Sequence, residues 1–116
     1  MKKIKSIKQN SRFQRLYKKG ESFVCPCFVC YLRKNTRDEV FLGLTVSKKI
    51  GNAVERNRAK RVLRAAARDA VKCGLSGCEM LLVARGKTPF VKSTRVSKEL
   101  FVVLKKAGYL KAEQEL

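Results

Sequence analysis

The sequence contains no histidine, and its 9 Asp and Glu are outnumbered by 28 Lys and Arg. The first absence removes the side chain that titrates near neutral pH and serves most often as a general base. The shortage of acids leaves one clear adjacent pair in a loop, Asp38-Glu39, where two carboxylates are ordinarily solvated rather than set up to hold Mg²⁺. No Ser or Cys has an evident triad partner, so no catalytic residue and no metal ligand is assigned, and the chain reads as a binder. Also missing is any apolar run near the roughly 20 residues that span a bilayer. The opening MKKIKSIKQ leads into no signal-peptide apolar region, so a cytoplasmic chain without a membrane partner is expected. No repeat or linker divides residues 1–116, a length suited to one core.

What is abundant is positive charge, +19 net. Such self-repulsion weakens a compact state unless a polyanion neutralises it, which points to nucleic acid. A hydrophobic content of 45% argues against a wholly disordered basic tail. The five cysteines require a separate reading. Val24 to Leu32 is rich in β-branched and aromatic residues and predicts a strand, which puts Cys25 and Cys27 on one face and Cys30 on the other. Ligands on opposite faces cannot converge on one metal. The thiols are read as small buried or half-buried side chains in a reducing compartment, with metal or redox chemistry as the alternative.

Along the chain, Asn10 caps a short helix, SRFQRLYKK, with Phe13, Leu16 and Tyr17 on one face, closed by Gly20 as a residue able to take positive φ. Strands follow at Phe23–Leu32 and Val40–Val46, joined by RKNTRDE, a length that suits an antiparallel hairpin. Asn52 and Glu55 have capping-box spacing and open a long helix that ends near Gly74. EMLLVA, 79–84, reads as a buried strand, although periodicity alone leaves a helix open. Pro89 breaks the next segment, and a last helix over Ser97–Ala107 presents Leu100, Phe101, Val103 and Leu104. Residues 109–116 are expected to be a loosely ordered tail.

Winding the long helix at about 100° per residue gathers Ala59, Val62, Leu63, Ala66 and Ala70 on one side. Arg56, Lys60, Arg61, Arg64, Arg68 and Lys72 spread over the other, relieved only by Glu55 and Asp69. A basic helix face is ordinarily just solvated, but a soluble one intersperses acids at four-residue spacing. Here 56/60, 60/64, 64/68 and 68/72 repel at a few tenths of a kcal/mol each, an expense that makes sense if phosphates fill the face. The predominance of Arg suits bidentate phosphate contact.

The order of FQRLYKKG, GLTVSKKIGNAVERNRAKRVLRAAAR and EMLLVARG resembles the protein subunit of bacterial ribonuclease P, over roughly residues 8 to 108. Its hallmark RNR segment stands here as Arg56-Asn57-Arg58. The resemblance implies an α/β fold: a small two-layer α-β sandwich with a mixed sheet and a left-handed βαβ crossover around the basic helix, a hand that sequence reading alone would not supply. It further implies one RNA-binding domain acting as cofactor to a catalytic RNA. The holoenzyme is an endoribonuclease of tRNA processing that removes the 5′ leader of precursor tRNA by Mg²⁺-dependent hydrolysis. The catalytic groups are then in the RNA, Mg²⁺ is RNA-bound, and one protein per RNA is expected.

The same resemblance assigns two surfaces. Arg56, Asn57, Arg58, Lys60, Arg61, Arg64 and Arg68 would approach the RNA subunit. Phe13, Tyr17, Val29 and Tyr31 would line the leader cleft, although aromatics three and four apart on a helix are more often core. Gln9 replaces a basic residue common in the family's cleft helix, Ala65 and Ala67 replace bulkier or acidic ones, and the cysteine-rich strand lies outside the pattern. A small basic ribosomal or RNA-chaperone protein without a role in tRNA processing remains the alternative on size and charge.

Overall fold

The computed structural model describes residues 4–7, 10–36 and 38–110; expectations placed on Gln9 and on 111–116 lie outside these. The elements are β1 (Ile4–Ser6), α1 (Asn10–Lys19), β2 (Glu21–Val24), β3 (Phe28–Lys34), β4 (Val40–Thr45), α2 (Ala53–Lys72), β5 (Cys78–Ala84) and α3 (Ser93–Lys106). Short 3-10 turns occupy Lys48–Ile50 and Thr88–Phe90. The strands form one mixed sheet in the order β1-β4-β5-β3-β2. β4 runs parallel to both β1 and β5, whereas β3 is antiparallel to β5 and β2. Parallel neighbours β4 and β5 are joined through α2, which makes the basic helix the crossover of a βαβ unit.

Two strand expectations are corrected by this order. Val40–Val46 does not pair with the preceding strand, because β5 lies between β3 and β4. β5 is buried along nearly its whole length on both faces, and such a strand gains most at the centre, with a pairing neighbour on each side. The predicted strand Phe23–Leu32 is two strands, β2 and β3, folded back as the actual hairpin. Pro26 causes the break: it has no N–H for the ladder, and the turn closes by Cys25 N–H donating to the Phe28 carbonyl at 2.8 Å. Cys25 and Cys27 therefore leave the strand's alternation and join Cys30 in the same core, not opposite faces of a strand.

That core fills the space between one sheet face and α2 with α3. Leu32, Val40, Leu42, Met80 and Leu82 meet Ala59, Leu63, Ala66, Ala67 and Ala70 of α2 and Val96, Leu100 and Leu104 of α3. Full burial of a side chain such as Leu63 stabilises by about 1.5–3 kcal/mol. Ala67 is wholly buried, so its small side chain lets α2 lie close to its neighbours, while Ala65 is half-buried. The helix α3 starts at Ser93, four residues earlier than expected, and Ser97 is already inside the core. Tyr109 and Leu110, placed in a loose tail by the sequence, both donate N–H bonds to the Leu104 carbonyl, and Leu110 is 5% exposed.

The sheet's other face is partly covered by α1 around Leu16, Ile7, Phe41 and Leu81. Gly20 ends α1 without the positive φ expected of it. What it provides is room: a Cβ there would stand 2.6 Å from the Leu16 carbonyl oxygen and 3.1 Å from that of Leu32. β1, absent from the sequence reading, is three residues long and too short to show a period.

Candidate RNA interface

α2 begins with the predicted capping box. Asn52 Oδ1 accepts the Glu55 N–H at 2.9 Å, and Glu55 Oε1 accepts the Asn52 N–H at 3.0 Å. Glu55 is thus committed to the helix end. Asp69, the other acid of the helix, accepts the Ser97 hydroxyl of α3 at 2.7 Å. Both acids serve structure, and neither is held against the arginines that face solvent.

Asn57, Arg58, Arg61, Arg64, Arg68 and Lys72 are exposed, whereas Arg56 and Lys60 are half-buried. A shallow hollow of about 260 Å³ is lined by Asn57, Lys60, Arg61, Arg64 and Arg68. The structure therefore brings most of the predicted RNA-subunit set together, but not all of it. Arg56 and Arg58 lie outside the hollow, and Arg56 Nε is buried without a hydrogen-bond partner among the described residues.

On the opposite face of the sheet, the predicted leader residues share one side. Register pairs Val29 with Val24 and Val83, and Tyr31 with Ser22 and Leu81, so Val29 and Tyr31 project toward α1's side. Tyr17 meets Tyr31 edge to face, with ring centroids 4.9 Å apart. Phe13 packs over Gly43, where an added Cβ would come within 2.7 Å of its ring. Burial differs along this helix: Leu16 is wholly buried, Phe13 is half-buried and packed against the Leu16 cluster, and Tyr17 is 41% exposed. A core-only role would predict burial for all three.

The sequence reading missed several neighbours. The Arg12 guanidinium lies 4.5 Å from the centroid of the Phe41 ring, with Lys5 Nζ at 6.0 Å, a cation–π arrangement at the other end of α1's face. The alternation of Phe41, Gly43 and Thr45 in β4 was the available signal. A groove of about 220 Å³ is lined by Ser6, Ile7, Phe13, Leu42, Leu44, Lys60 and Arg64. Lys60 and Arg64 thus belong to the hollow on α2 and also to a groove that holds an aromatic residue of α1.

These surfaces offer cations and aromatic rings, not acid–base machinery. Burial pushes the thiols of Cys25, Cys27, Cys30 and Cys78 up, Cys78 to about 12, which keeps them protonated at neutral pH and poor as nucleophiles or ligands. Among the described residues, no group of three or more His, Cys, Asp or Glu could hold a metal ion. No helix among them is long and apolar enough to cross a membrane.

Comparisons with known proteins point to one family. The family described as Ribonuclease P matches residues 1–108. A ribonuclease P protein component of Shouchella clausii is 40% identical over 111 residues, covering 95% of this chain and 91% of that protein. One from Bacillus cereus is 40% identical over 109 residues, covering 93% and 95%. Among solved structures, a Staphylococcus aureus RNase P protein superposes with a TM-score of 0.78 at 36% identity, covering 94% of this chain and 100% of that one. The Thermotoga maritima RNase P protein gives 0.75 at 28% identity, covering 88% and 96%.

Proposed function

The chain belongs to the ribonuclease P protein family, and from that membership we propose that it serves as the protein cofactor of the ribonucleoprotein, gripping the catalytic RNA through α2 and the 5′ leader of precursor tRNA through the face beneath α1. The observation that carries this reading is the double placement of Lys60 and Arg64. They line the basic hollow with Asn57, Arg61 and Arg68, and they line the groove that reaches Phe13. A single strand leaving the aromatic face through this groove would reach Lys60 and Arg64 and then the other cations of the hollow, and aromatic faces joined to a basic groove are the combination that sequence-tolerant single-strand binding uses.

In this role the protein contributes binding rather than bond cleavage. Its net charge of +19 offsets phosphate repulsion where two RNAs converge. Holding the leader increases the share of substrate that is correctly placed. As part of this reading Mg²⁺ is assigned to the RNA subunit, and no step passes through a protein-bound ion. One protein per RNA and a cytoplasmic location complete the proposal. The ribosomal or chaperone alternative is not favoured, because the family and the solved structures it matches are ribonuclease P proteins.

The test is reconstitution with a transcribed bacterial ribonuclease P RNA and an assay of precursor cleavage at low Mg²⁺. The protein alone should cleave nothing, and its addition should lower the Mg²⁺ that the RNA requires. Cleavage by RNA-free protein, or an unchanged Mg²⁺ requirement, would overturn the reading.

A further inference from the structure

Phe90 is 65% exposed, among the most exposed large apolar side chains described, and neither surface assigned above includes it. It is the last residue of the 3-10 turn Thr88–Phe90, and the two residues before it, Thr88 and Pro89, are buried. The turn is firmly held. Thr88 N–H donates to the Arg85 carbonyl at 3.0 Å, and the Phe90 N–H to that of Lys87 at 2.9 Å. Thr88 Oγ1 accepts the Arg85 N–H at 2.8 Å and itself donates to the Cys27 carbonyl. The turn also packs against α2. An aromatic ring on a fixed pedestal loses little conformational freedom when something stacks on it, which favours binding.

Its surroundings specify the chemistry of the partner. From Met80 to Lys98 the chain has no acid, while Arg85, Lys87, Lys92, Arg95 and Lys98 are all exposed. Arg95 is partly neutralised by Glu99 at 3.4 Å, and Arg85 donates to the Cys25 carbonyl at 2.9 Å. Lys87 and Lys92 flank Phe90 at three and two residues' distance in the chain. An apolar protein partner would find one ring among cations, whereas a nucleotide offers a base for the ring and phosphates for the lysines.

We propose that Phe90 stacks on an unpaired base of the RNA subunit, with Lys87 and Lys92 on the adjoining phosphates. This rests on the ribonuclease P reading and extends it. The RNA subunit rather than the leader is the occupant, because the turn packs on α2, whereas the leader residues are on the α1 side of the sheet.

The experiment measures binding of the full chain to a transcribed bacterial ribonuclease P RNA as a function of salt. Phe90→Ala should weaken binding by roughly 5- to 150-fold, the fold-change equivalent of about 1–3 kcal/mol per stacked base. Its salt slope should not change, because no charge is removed, and Phe90→Trp should restore affinity. Lys87→Gln with Lys92→Gln should instead reduce the slope, by up to about 1.4 on a single-strand calibration. At saturating protein, discrimination between precursor and mature tRNA should be unaffected by Phe90→Ala.

Unchanged affinity for Phe90→Ala overturns the proposal, as does full rescue by Phe90→Leu, which supplies apolar bulk without a ring. Altered precursor discrimination would also overturn it, by moving the ring to the substrate. Arg61→Gln with Arg68→Gln keeps the two readings apart: if that variant loses affinity while Phe90→Ala does not, only this inference fails. If neither does, the assignment of α2 fails too.

Discussion

The Tyr17 ring stands edge-on to the Tyr31 ring at 4.9 Å and 70°, joining α1 to β3 through two of the side chains proposed to line the leader cleft. Such a pair contributes about 0.5–1.5 kcal/mol beyond the area it buries. The two positions should therefore not act independently. In a double-mutant cycle on holoenzyme affinity for precursor, Tyr17→Ala and Tyr31→Ala should fall short of additivity by an amount in that range. Affinity for mature tRNA, which has no leader, should not change. Strict additivity would mean that the ring contact does not position Tyr31 for binding.

Gly43 provides a way to disturb the cleft without touching an aromatic residue. A methyl group there would meet Phe13 at 2.7 Å and Leu81 at 3.2 Å. Gly43→Ala should therefore tilt Phe13 out of place, cost about 1–3 kcal/mol of stability as overpacking does, and weaken precursor binding at temperatures where the variant is folded. Pairing it with Phe13→Leu should recover stability but not affinity. Wild-type precursor affinity in folded Gly43→Ala would remove Phe13 from the leader site.

The Cys78 thiol, pushed up to about 12 by burial and then by Glu79, gives a pH dependence whose sign follows from linkage. In the unfolded chain the thiol ionises near its ordinary value of 9.0; folded, it keeps its proton until about 12. Below pH 9 both states are protonated and stability is untouched. As pH rises through that window, the unfolded state alone releases a proton, so stability falls. Tyr109, raised from 10.0 to about 12 by burial, acts in the same direction. Urea midpoints should be flat from pH 6 to 8 and decline above 9, with a shallower decline in Tyr109→Phe. A midpoint that rises with pH above 9 would contradict the burial of both groups. Replacing Cys25, Cys27 and Cys30 together by Ser, harmless if they were surface groups, should now be strongly destabilising, since all three are buried.

Local signals carried much of this architecture and non-local ones did not. The α2 cap, its apolar face and its length follow from Asn52, Glu55 and a 3.6-residue period, all contained within one segment. The place of β5 does not, because EMLLVA states that a strand is buried, not which strands flank it. Hairpin reasoning at RKNTRDE fails for that reason, and Pro26 had already marked the true hairpin. The candidate site divides in the same way. The positive face of α2 is legible from charge spacing, and the aromatic face of α1 depended on family resemblance. That Lys60 and Arg64 share a groove with Phe13 depends on β1 and β4 meeting at the sheet edge, which no periodicity announces.

The cations of α2 differ in how far they are free to serve RNA, and salt dependence separates them. Arg61, Arg64 and Arg68 are exposed and line the hollow. Each phosphate contact they make releases counterions and contributes about 0.9 to the slope of log K against log salt on a duplex calibration. The triple change to Gln should thus lower the slope for RNA-subunit binding by up to about 2.7. Folding should survive, and the free protein should become slightly more stable, because Arg64 and Arg68 repel at i,i+4 spacing by a few tenths of a kcal/mol. Arg56 should behave otherwise. Its Nε is buried, so Arg56→Gln alters packing at the start of α2 and should lower thermal stability as well as affinity. A triple variant that loses affinity with an unchanged slope would show that these arginines act through shape rather than charge, and one that unfolds would place them in the structure and not at the interface.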